Sequence, residues 1–275
     1  VYEILEKVVL AEGIKSIKVK APLIARKTRP GNFIILRVDE KGERIPLTVA
    51  DYEREKGVIT IIFQEVGYTT KQLGSLEKGD YIRDIVGPLG QHLDLKGYNK
   101  VICLGGGSGT ALLYPKVKAL YEEGAEVIAI TGARTRELII LEEELAEVSN
   151  QLYITTDDGS YGHNGFVTDI LKELLEKDDN IDLVVAIGPV PMMKAVAEMT
   201  RPYSIKTIVS LNSLMVDGTG MCGGCRVTVG GETKFTCVDG PAFDGHQVDF
   251  NELMNRLSFY HEEEHECQLD KEVNK

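Results

Sequence analysis

The 275-residue sequence lacks a surplus of positive charge, a long apolar run and a leader-like beginning, and each absence closes a class of function. Thirty-one Lys and Arg stand against 43 Asp and Glu, a net charge of −12. A nucleic-acid partner needs a concentrated basic face, and this balance supplies no obvious one. No segment approaches the roughly 20 apolar residues of a membrane-spanning helix, so a soluble protein with no membrane partner is expected. The opening VYEILEKVVLAEG alternates apolar and charged residues, with no basic-then-apolar leader and no small-residue cleavage site. The expected location is the cytoplasm. No internal repeat is visible. An even cysteine count is missing too: there are five, and Cys222, Cys225 and Cys237 fall within sixteen residues. That crowding suits a metal site in a reducing compartment better than a disulfide framework.

What is present is ordinary globular composition, 43% hydrophobic and 27% charged, with 28 glycines. Segments 2–10, 14–20, 32–38, 44–50, 58–64 and 81–86 read as short strands, separated by glycine and proline turns. No strongly periodic helix falls among them, so residues 1–97 are expected to form a small antiparallel β-barrel. From about residue 98 apolar strands alternate with amphipathic helices: KVICLGGG, TALLYPKVKALYEEG, EVIAITGA, QLYITTDDG, FVTDILKELLEK, IDLVVAIG, PMMKAVAEM and IKTIVSL. Five strands apolar on both faces and joined by helices predict a five-stranded parallel sheet, an α/β nucleotide-binding domain over 98–211. Residues 212–275 follow as a Gly/Cys-rich loop region, an amphipathic helix over 249–260 and an acidic tail. Phe250, Leu253, Leu257 and Tyr260 on that helix are expected to pack on the chain's own sheet, a partner-facing role being the alternative.

Gly105, Gly106, Gly107, Ser108, Gly109 and Thr110 sit where the first parallel strand meets its helix. Glycines let the backbone approach a pyrophosphate, and the helix start stabilises its charge. Thr110 stands where the G-x-G-x-x-G fingerprint has its third glycine, so the strict dinucleotide motif is not met. A turn that only packs strand against helix is the plainer alternative. The next strand ends at Arg134, with Arg136 close by, where an arginine suits a 2′-phosphate and points to NADP. Asp157 and Gly188 end two further parallel strands on the same sheet edge.

Asp217-x4-Cys222-x2-Cys225-x11-Cys237 is the most specific feature. Two thiols flank Gly223 and Gly224, whose backbone N–H groups can turn inward to balance a sulfide-bearing cluster. The x4 and x2 intervals match a plant-type 2Fe-2S site, with Asp217 at the first cysteine's place. Ligand counting alone leaves tetrahedral zinc open, and Asp217 could instead cap a turn. Cys103 reads as a buried core thiol. Cys267, near His261 and His265, reads as part of a solvated acidic end.

Nicotinamide nucleotides exchange two electrons as hydride, whereas a 2Fe-2S cluster accepts one at a time. Flavin is the usual converter, and the barrel is where it would sit. Arg44, Ile45, Pro46, Leu47 and Thr48 offer a cation, backbone donors and a hydroxyl; Gly67 to Thr70 offers a second polar turn. The order of barrel, RIPLT strand, GYTT turn, GPLG junction, GGGSGTALLYP turn, DDGSYGHNGFVTD segment, GP pair and cysteine loop resembles the ferredoxin reductase superfamily. Within it the match is to the branch of dihydroorotate dehydrogenase electron-transfer subunits. The run SLNSLMVDGTGMCGGCRVTVGG to FTCVDGPAFDGHQVDF is more similar still to small subunits of NADH-dependent reduced ferredoxin:NADP oxidoreductases, also known as sulfide dehydrogenase subunits. Three positions depart from the superfamily's pattern: Leu112 after Ala111 where Ala-Pro is usual, Ile187 where a cysteine precedes Gly-Pro, and Asp217 for the first cluster cysteine.

The resemblance implies FAD, one 2Fe-2S cluster and NAD(H) as cofactors. It assigns FAD to Arg44, Ile45, Pro46, Leu47, Thr48, Ile62, Phe63, Gln64, Thr69 and Thr70. The nucleotide falls to Gly105 through Thr110 with Arg134, Asp157 and Gly188, and the cluster to Asp217, Cys222, Cys225 and Cys237. It implies NADH as the nucleotide, against the reading of Arg134. The expected function is an electron-transfer subunit that exchanges hydride between NAD(H) and FAD. It would then pass single electrons to a larger flavin and iron-sulfur partner resembling a glutamate synthase small subunit, and indirectly to ferredoxin and NADP(H). Flavin-based electron bifurcation, if present, would happen in that partner, and no general acid or base is required here. The alternatives are a dihydroorotate dehydrogenase or sulfide dehydrogenase subunit and, in another class, a non-catalytic nucleotide-binding protein with a structural zinc loop.

Overall fold

The computed structural model describes residues 1–177 and 180–259; Tyr260, His261, His265 and Cys267 lie outside them. Seven antiparallel strands open the chain: β1 (Tyr2–Ala11), β2 (Ile14–Lys20), β3 (Phe33–Arg37), β4 (Arg44–Glu53), β5 (Val58–Gln64), β6 (Tyr81–Ile82) and β7 (Asp84–Leu89). They pair in the order β6-β1-β2-β5-β4-β3-β7. The strands at the two ends of that order are consecutive in sequence, with Arg83 alone between them, so the sheet curls into a nearly closed barrel. Alternation along β2, β3 and β5 turns Ile17, Val19, Ile34, Leu36, Ile59 and Ile61 into one buried core.

Two details differ from expectation. The single strand over 81–86 is two strands, because the chain crosses from one sheet edge to the other at Arg83. Two short helices also interrupt the barrel, α1 (Pro22–Lys27) and α2 (Tyr68–Ser75). Pro22 suits a first turn through its fixed φ, and Gly67 N–H donates to Thr70 Oγ1 at 3.0 Å to cap α2. Neither helix is long enough to display a 3.6-residue period.

The second unit runs β8 (Lys100–Gly106), α3 (Gly109–Glu122), β9 (Glu126–Ala133), α4 (Glu142–Glu147), β10 (Gln151–Thr156), β11 (His163–Asn164), α5 (Val167–Lys177), β12 (Leu183–Ile187), α6 (Val190–Thr200) and β13 (Lys206–Ser210). Then come β14 (Arg226–Val229), β15 (Glu232–Phe235), β16 (Ala242–Asp244) and α7 (Phe250–Leu257). The sheet order is β11-β10-β9-β8-β12-β13-β16. The five expected parallel strands form its centre, and the sheet is wider than expected by β11 and by β16, which pairs antiparallel to β13. Strands of two and three residues inside turn-rich sequence carry no period to detect.

One face of this sheet buries Ile102, Val184 and Val209 under α5, α6 and α7; the other buries Val101, Val127 and Val185 under α3 and Leu145 of α4. Asp249 caps α7 by accepting the Glu252 N–H at 2.9 Å, and Phe250 and Leu253 are buried in the sheet's core. That helix therefore spends its apolar face inside the chain. Barrel and sheet meet through Ala50 and Ile62 against Ala111 and Ile140. Among the described residues no helix is long and apolar enough to cross a membrane.

Candidate functional site

The strand order puts a switch point at β8, with β9 on one side and β12 on the other. In open sheets of this kind the crevice at the strands' carboxyl ends receives ligands. Gly105 lies opposite Ile187 in register. A Cβ on Gly109 would sit 2.5 Å from the Ile187 carbonyl oxygen, so only glycine admits this approach of helix to strand. Thr110 explains the missing third glycine. Its Oγ1 bonds Thr131 Oγ1 at 2.8 Å, both side chains being buried. The close contact is supplied by Gly105 instead, whose Cβ would lie 2.9 Å from Thr110 Cα. Gly107 adopts φ +56° and donates its N–H to Gly132 O, while the Thr110 and Ala111 amides bond back to Gly107 O and Ser108 O. The Ser108 and Gly109 amides at the helix start are those placed to meet an anion.

Gly188 joins this crevice, and so does Met192 of α6, which the sequence reading missed. Its sulfur would lie 2.7 Å from a Cβ on Gly106 and 3.0 Å from one on Gly188. A methionine three residues past a Gly-Pro at a helix start was the available signal. Farther along the edge, Arg134 and Asp157 are exposed, and the Asp157 N–H reaches Ala133 O. Arg136 stacks over Tyr161 at 4.8 Å, and the Tyr161 hydroxyl donates to Glu142 at 2.7 Å, which raises that hydroxyl's pKa. Arg136 is thereby committed to a ring, a role no sequence spacing announced.

In the barrel, β4 pairs β5 only from Val49–Ile61 onward, while Arg44 through Thr48 pair with β3 alone. Ile62, Phe63 and Gln64 in turn pair with β2 alone. The two predicted flavin segments therefore line an opening where β4 and β5 part, with unspent backbone groups on both edges. Ile62 and Phe63 bury their side chains, in the interface cluster and the barrel core respectively, so they offer backbone. Thr70 caps α2, and Thr69 Oγ1 reaches Glu43 at 3.4 Å. Ile45 and Leu47 pack on the barrel core, so Arg44, Pro46 and Thr48 face outward by alternation. A cleft of about 400 Å³ opens beside Arg44, bounded by Ile35, Arg37, Asp84 and Val86.

On that outer face Phe33 and Ile35 bury Cys225 and Cys237, with Leu89, Met215 and Phe235 around them. Gly218, at φ +72°, lies so close that a Cβ would fall 2.6 Å from Ile35. Gln91 ties this lobe to the barrel, its N–H donating to Gly240 O at 2.6 Å and its Nε2 to Val238 O at 2.9 Å. The four predicted ligands arrive as two pairs. Cys225 and Cys237 are buried with sulfurs 3.1 Å apart. Cys222 is exposed, its sulfur 3.3 Å from Asp217 Oδ1. All three thiols and Cys103 are free, and among the described residues no three or more ligand side chains gather into one metal-holding group.

Desolvation would raise the Asp217 carboxyl, but the Thr219 N–H, the Cys222 thiol, the Thr219 hydroxyl and the Met221 N–H donate to it and hold it at about 2. Burial, then the hydrogen bond and charge of Cys225, push the Cys237 thiol up to about 12. Both thiols keep their protons when the loop is empty, and giving those protons up inside the fold needs a compensating cation; two soft sulfurs with backbone N–H groups around them suit iron. The Gly224 N–H points at Cys222 Sγ (3.4 Å) and the Cys237 N–H at Cys225 Sγ (3.5 Å). The donor set fits a 2Fe-2S cluster. Cys103 is fully buried in the sheet, its thiol raised to about 12 by burial.

The iron-sulfur cluster binding domain of dihydroorotate dehydrogenase B matches residues 212–249, and the oxidoreductase NAD-binding domain matches residues 103–198. The chain is 50% identical, over 98% of its length and 94% of the relative's, to an uncharacterised protein of Clostridium beijerinckii. It is 46% identical to a Thermotoga maritima homologue of the dihydroorotate dehydrogenase B electron transfer subunit, covering 95% of this chain and 92% of that one. A solved structure of NADH-dependent reduced ferredoxin-NADP oxidoreductase, described for flavin-based electron bifurcation, superposes with TM-score 0.94 at 43% identity, over 99% of this chain and 98% of that one.

Proposed function

Because the chain belongs to the family of dihydroorotate dehydrogenase B electron-transfer subunits and their homologues, we propose a division of labour among its three parts. The chain is an electron-transfer subunit of an oxidoreductase, with an NAD-binding domain, an iron-sulfur domain and the fold of flavin-dependent ferredoxin reductases. The Ser108 and Gly109 amides hold the nucleotide's pyrophosphate, and Gly106, Gly188 and Met192 shape the crevice into which its nicotinamide end reaches. Arg44, Pro46 and Thr48, with the free backbone of Ile62 to Gln64 and the start of α2 at Thr69, cradle FAD. Asp217, Cys222, Cys225 and Cys237 hold the cluster. When bound, FAD and the cluster together turn a hydride from NAD(H) into single electrons.

The observation that carries this reading is a pair of cross-strand neighbours. Phe33 lies opposite Thr48 and Ile35 opposite Pro46 on the barrel's outer face, and Phe33 and Ile35 are the residues that bury Cys225 and Cys237. The strand of the flavin cradle and the strand on which the thiol pair packs are therefore neighbours, about 5 Å between their backbones. No proton donor is needed along this route, and Cys225 and Cys237 are both buried where the lobe meets the barrel.

NAD(H) is favoured over NADP(H). Arg136 is engaged with Tyr161, and Asp157 and Asp158 put two exposed carboxylates beside Arg134, where a 2′-phosphate would be repelled. The chain is a small subunit of a multi-subunit enzyme with a larger partner. The finer reading is a cytoplasmic complex with a flavin and iron-sulfur subunit resembling the glutamate synthase small subunit, leading to ferredoxin and NADP(H). Similarity to the bifurcating oxidoreductase supports it over a dihydroorotate dehydrogenase partner. Anaerobic purification tests the whole reading: flavin and cluster absorbance with iron and acid-labile sulfide is expected. A colourless protein that takes up neither group on reconstitution would end it, and the co-purifying partner decides between the two complexes.

A further inference from the structure

Beside the thiol pair lies a polar group that the protein itself leaves unbonded. Thr236 is fully buried, and its Oγ1 has no hydrogen-bond partner among the described residues. A buried hydroxyl rarely goes without a partner, and each exception calls for an explanation such as an ion or a redox role. The position of this one is fixed from both sides. The Thr236 N–H donates to Cys225 O at 3.0 Å, and the next residue is Cys237, whose N–H points at Cys225 Sγ. Thr236 is thus the link that bridges the two thiol-bearing residues. The pair sits in an apolar cluster with Phe33, Ile35, Leu89, Met215 and Phe235, and the nearby Ser213 hydroxyl is directed to the Cys225 carbonyl at 3.5 Å.

We propose that the Thr236 hydroxyl donates a hydrogen bond to a sulfur of the iron-sulfur cluster held by this loop, and that its function is to raise the cluster's reduction potential. The inference rests on the cluster reading above. Reduction adds one electron and one unit of negative charge to the cluster; the hydroxyl keeps its proton, and no bond forms or breaks at Thr236. A donor aimed at sulfur stabilises the more negative state, so the potential rises. The same hydroxyl is a burden when the loop is empty, because it is then buried without an acceptor.

Two substitutions separate these effects, Thr236→Val, which keeps the shape and removes the donor, and Thr236→Ser, which keeps the donor. Midpoint potentials of the full chain are read by redox titration monitored through the cluster's electron paramagnetic resonance signal. The Val variant is expected to shift to a more negative potential and the Ser variant to stay with the parent. In the cluster-free chain the order of thermal midpoints is expected to reverse in favour of Val. A Val variant with the parent's potential overturns the proposal. So does a Val variant less stable than the parent without the cluster, since the hydroxyl would then have a partner in the protein; this second readout holds even if the variant fails to load a cluster. Iron and sulfide content of the parent stands apart: a parent that cannot be loaded defeats the cluster reading itself, whereas a loaded parent with an unshifted Val variant defeats only the role of Thr236.

Discussion

The crevice at β8 and β12 and the thiol lobe are the two proposed ligand sites, yet they are made from opposite materials. The crevice is backbone: amides at a helix start, glycines that admit close approach, and parallel strands that hold them in register. The thiol lobe is side chain: three sulfurs and a carboxylate on irregular loop, held by Gln91 on one flank and the apolar surface of β3 on the other. Rigid secondary structure carries the geometry in the first, so residue identity matters only where a Cβ would collide. Residue identity carries everything in the second. The two should therefore fail differently and independently under substitution.

The sharpest way to break this contrast is at the buried thiols. Cys237→Ser is expected to lower iron and sulfide content by more than about tenfold, while flavin content and NADH affinity stay at the parent's values. Next, Gly109→Ala puts a methyl against the Ile187 carbonyl and should weaken NADH binding about 100-fold, roughly 3 kcal/mol, in a calorimetric titration. Iron content should be untouched; if it falls as well, the two regions are not independent. Asp217→Cys is expected to keep the cluster and shift its potential to more negative values, because a thiolate gives iron more charge than a carboxylate. Asp217→Ala, which removes the acceptor of the Thr219, Met221 and Cys222 donors, should make the cluster labile to chelators.

A smaller effect probes the helix behind the crevice. Lys116 of α3 is buried with no carboxylate bonded to it among the described residues, its Nζ donating to Leu112 O at 2.9 Å, and burial lowers its pKa to about 8 against some compensation from Cys103. Unfolded, the same group titrates near 10.5. Below pH 8 both states hold the proton and the folded state bears the whole burial penalty. Between 8 and 10.5 the unfolded state binds more protons, so stability rises with pH. Lys116→Met should then stabilise the chain by at most about 3 kcal/mol at pH 7, and chemical denaturation should show the gain vanishing above pH 10.5. A gain that persists there would mean packing, not charge, is responsible.

The same contrast explains what could be read from sequence. The parallel strands and the glycine turn were legible because apolar runs bounded by Gly announce themselves, and the cysteine spacing was legible because thiols are rare. Thr110 was visible as a departure, but its reason, the bond to Thr131, needs two segments twenty-one residues apart to be in register. Met192, Tyr161 and Thr236 were missed for the same cause: each matters through a neighbour supplied by folding. The two short helices and β16 were missed because so few residues carry no period, and Asp217's many donors come from turn geometry that spacing does not encode.

One consequence belongs to Arg83. By letting β6 and β7 follow one another across the seam, it leaves the barrel almost without a free edge. The other large sheet ends in β11 and β16, two and three residues long, too short to template a neighbouring strand. Outside the parted edges of β4 and β5 and the β14–β15 pair, the described residues leave little main chain to share. Assembly with a larger partner is then expected to rest mainly on side chains, a recognition code that can drift residue by residue without disturbing either sheet.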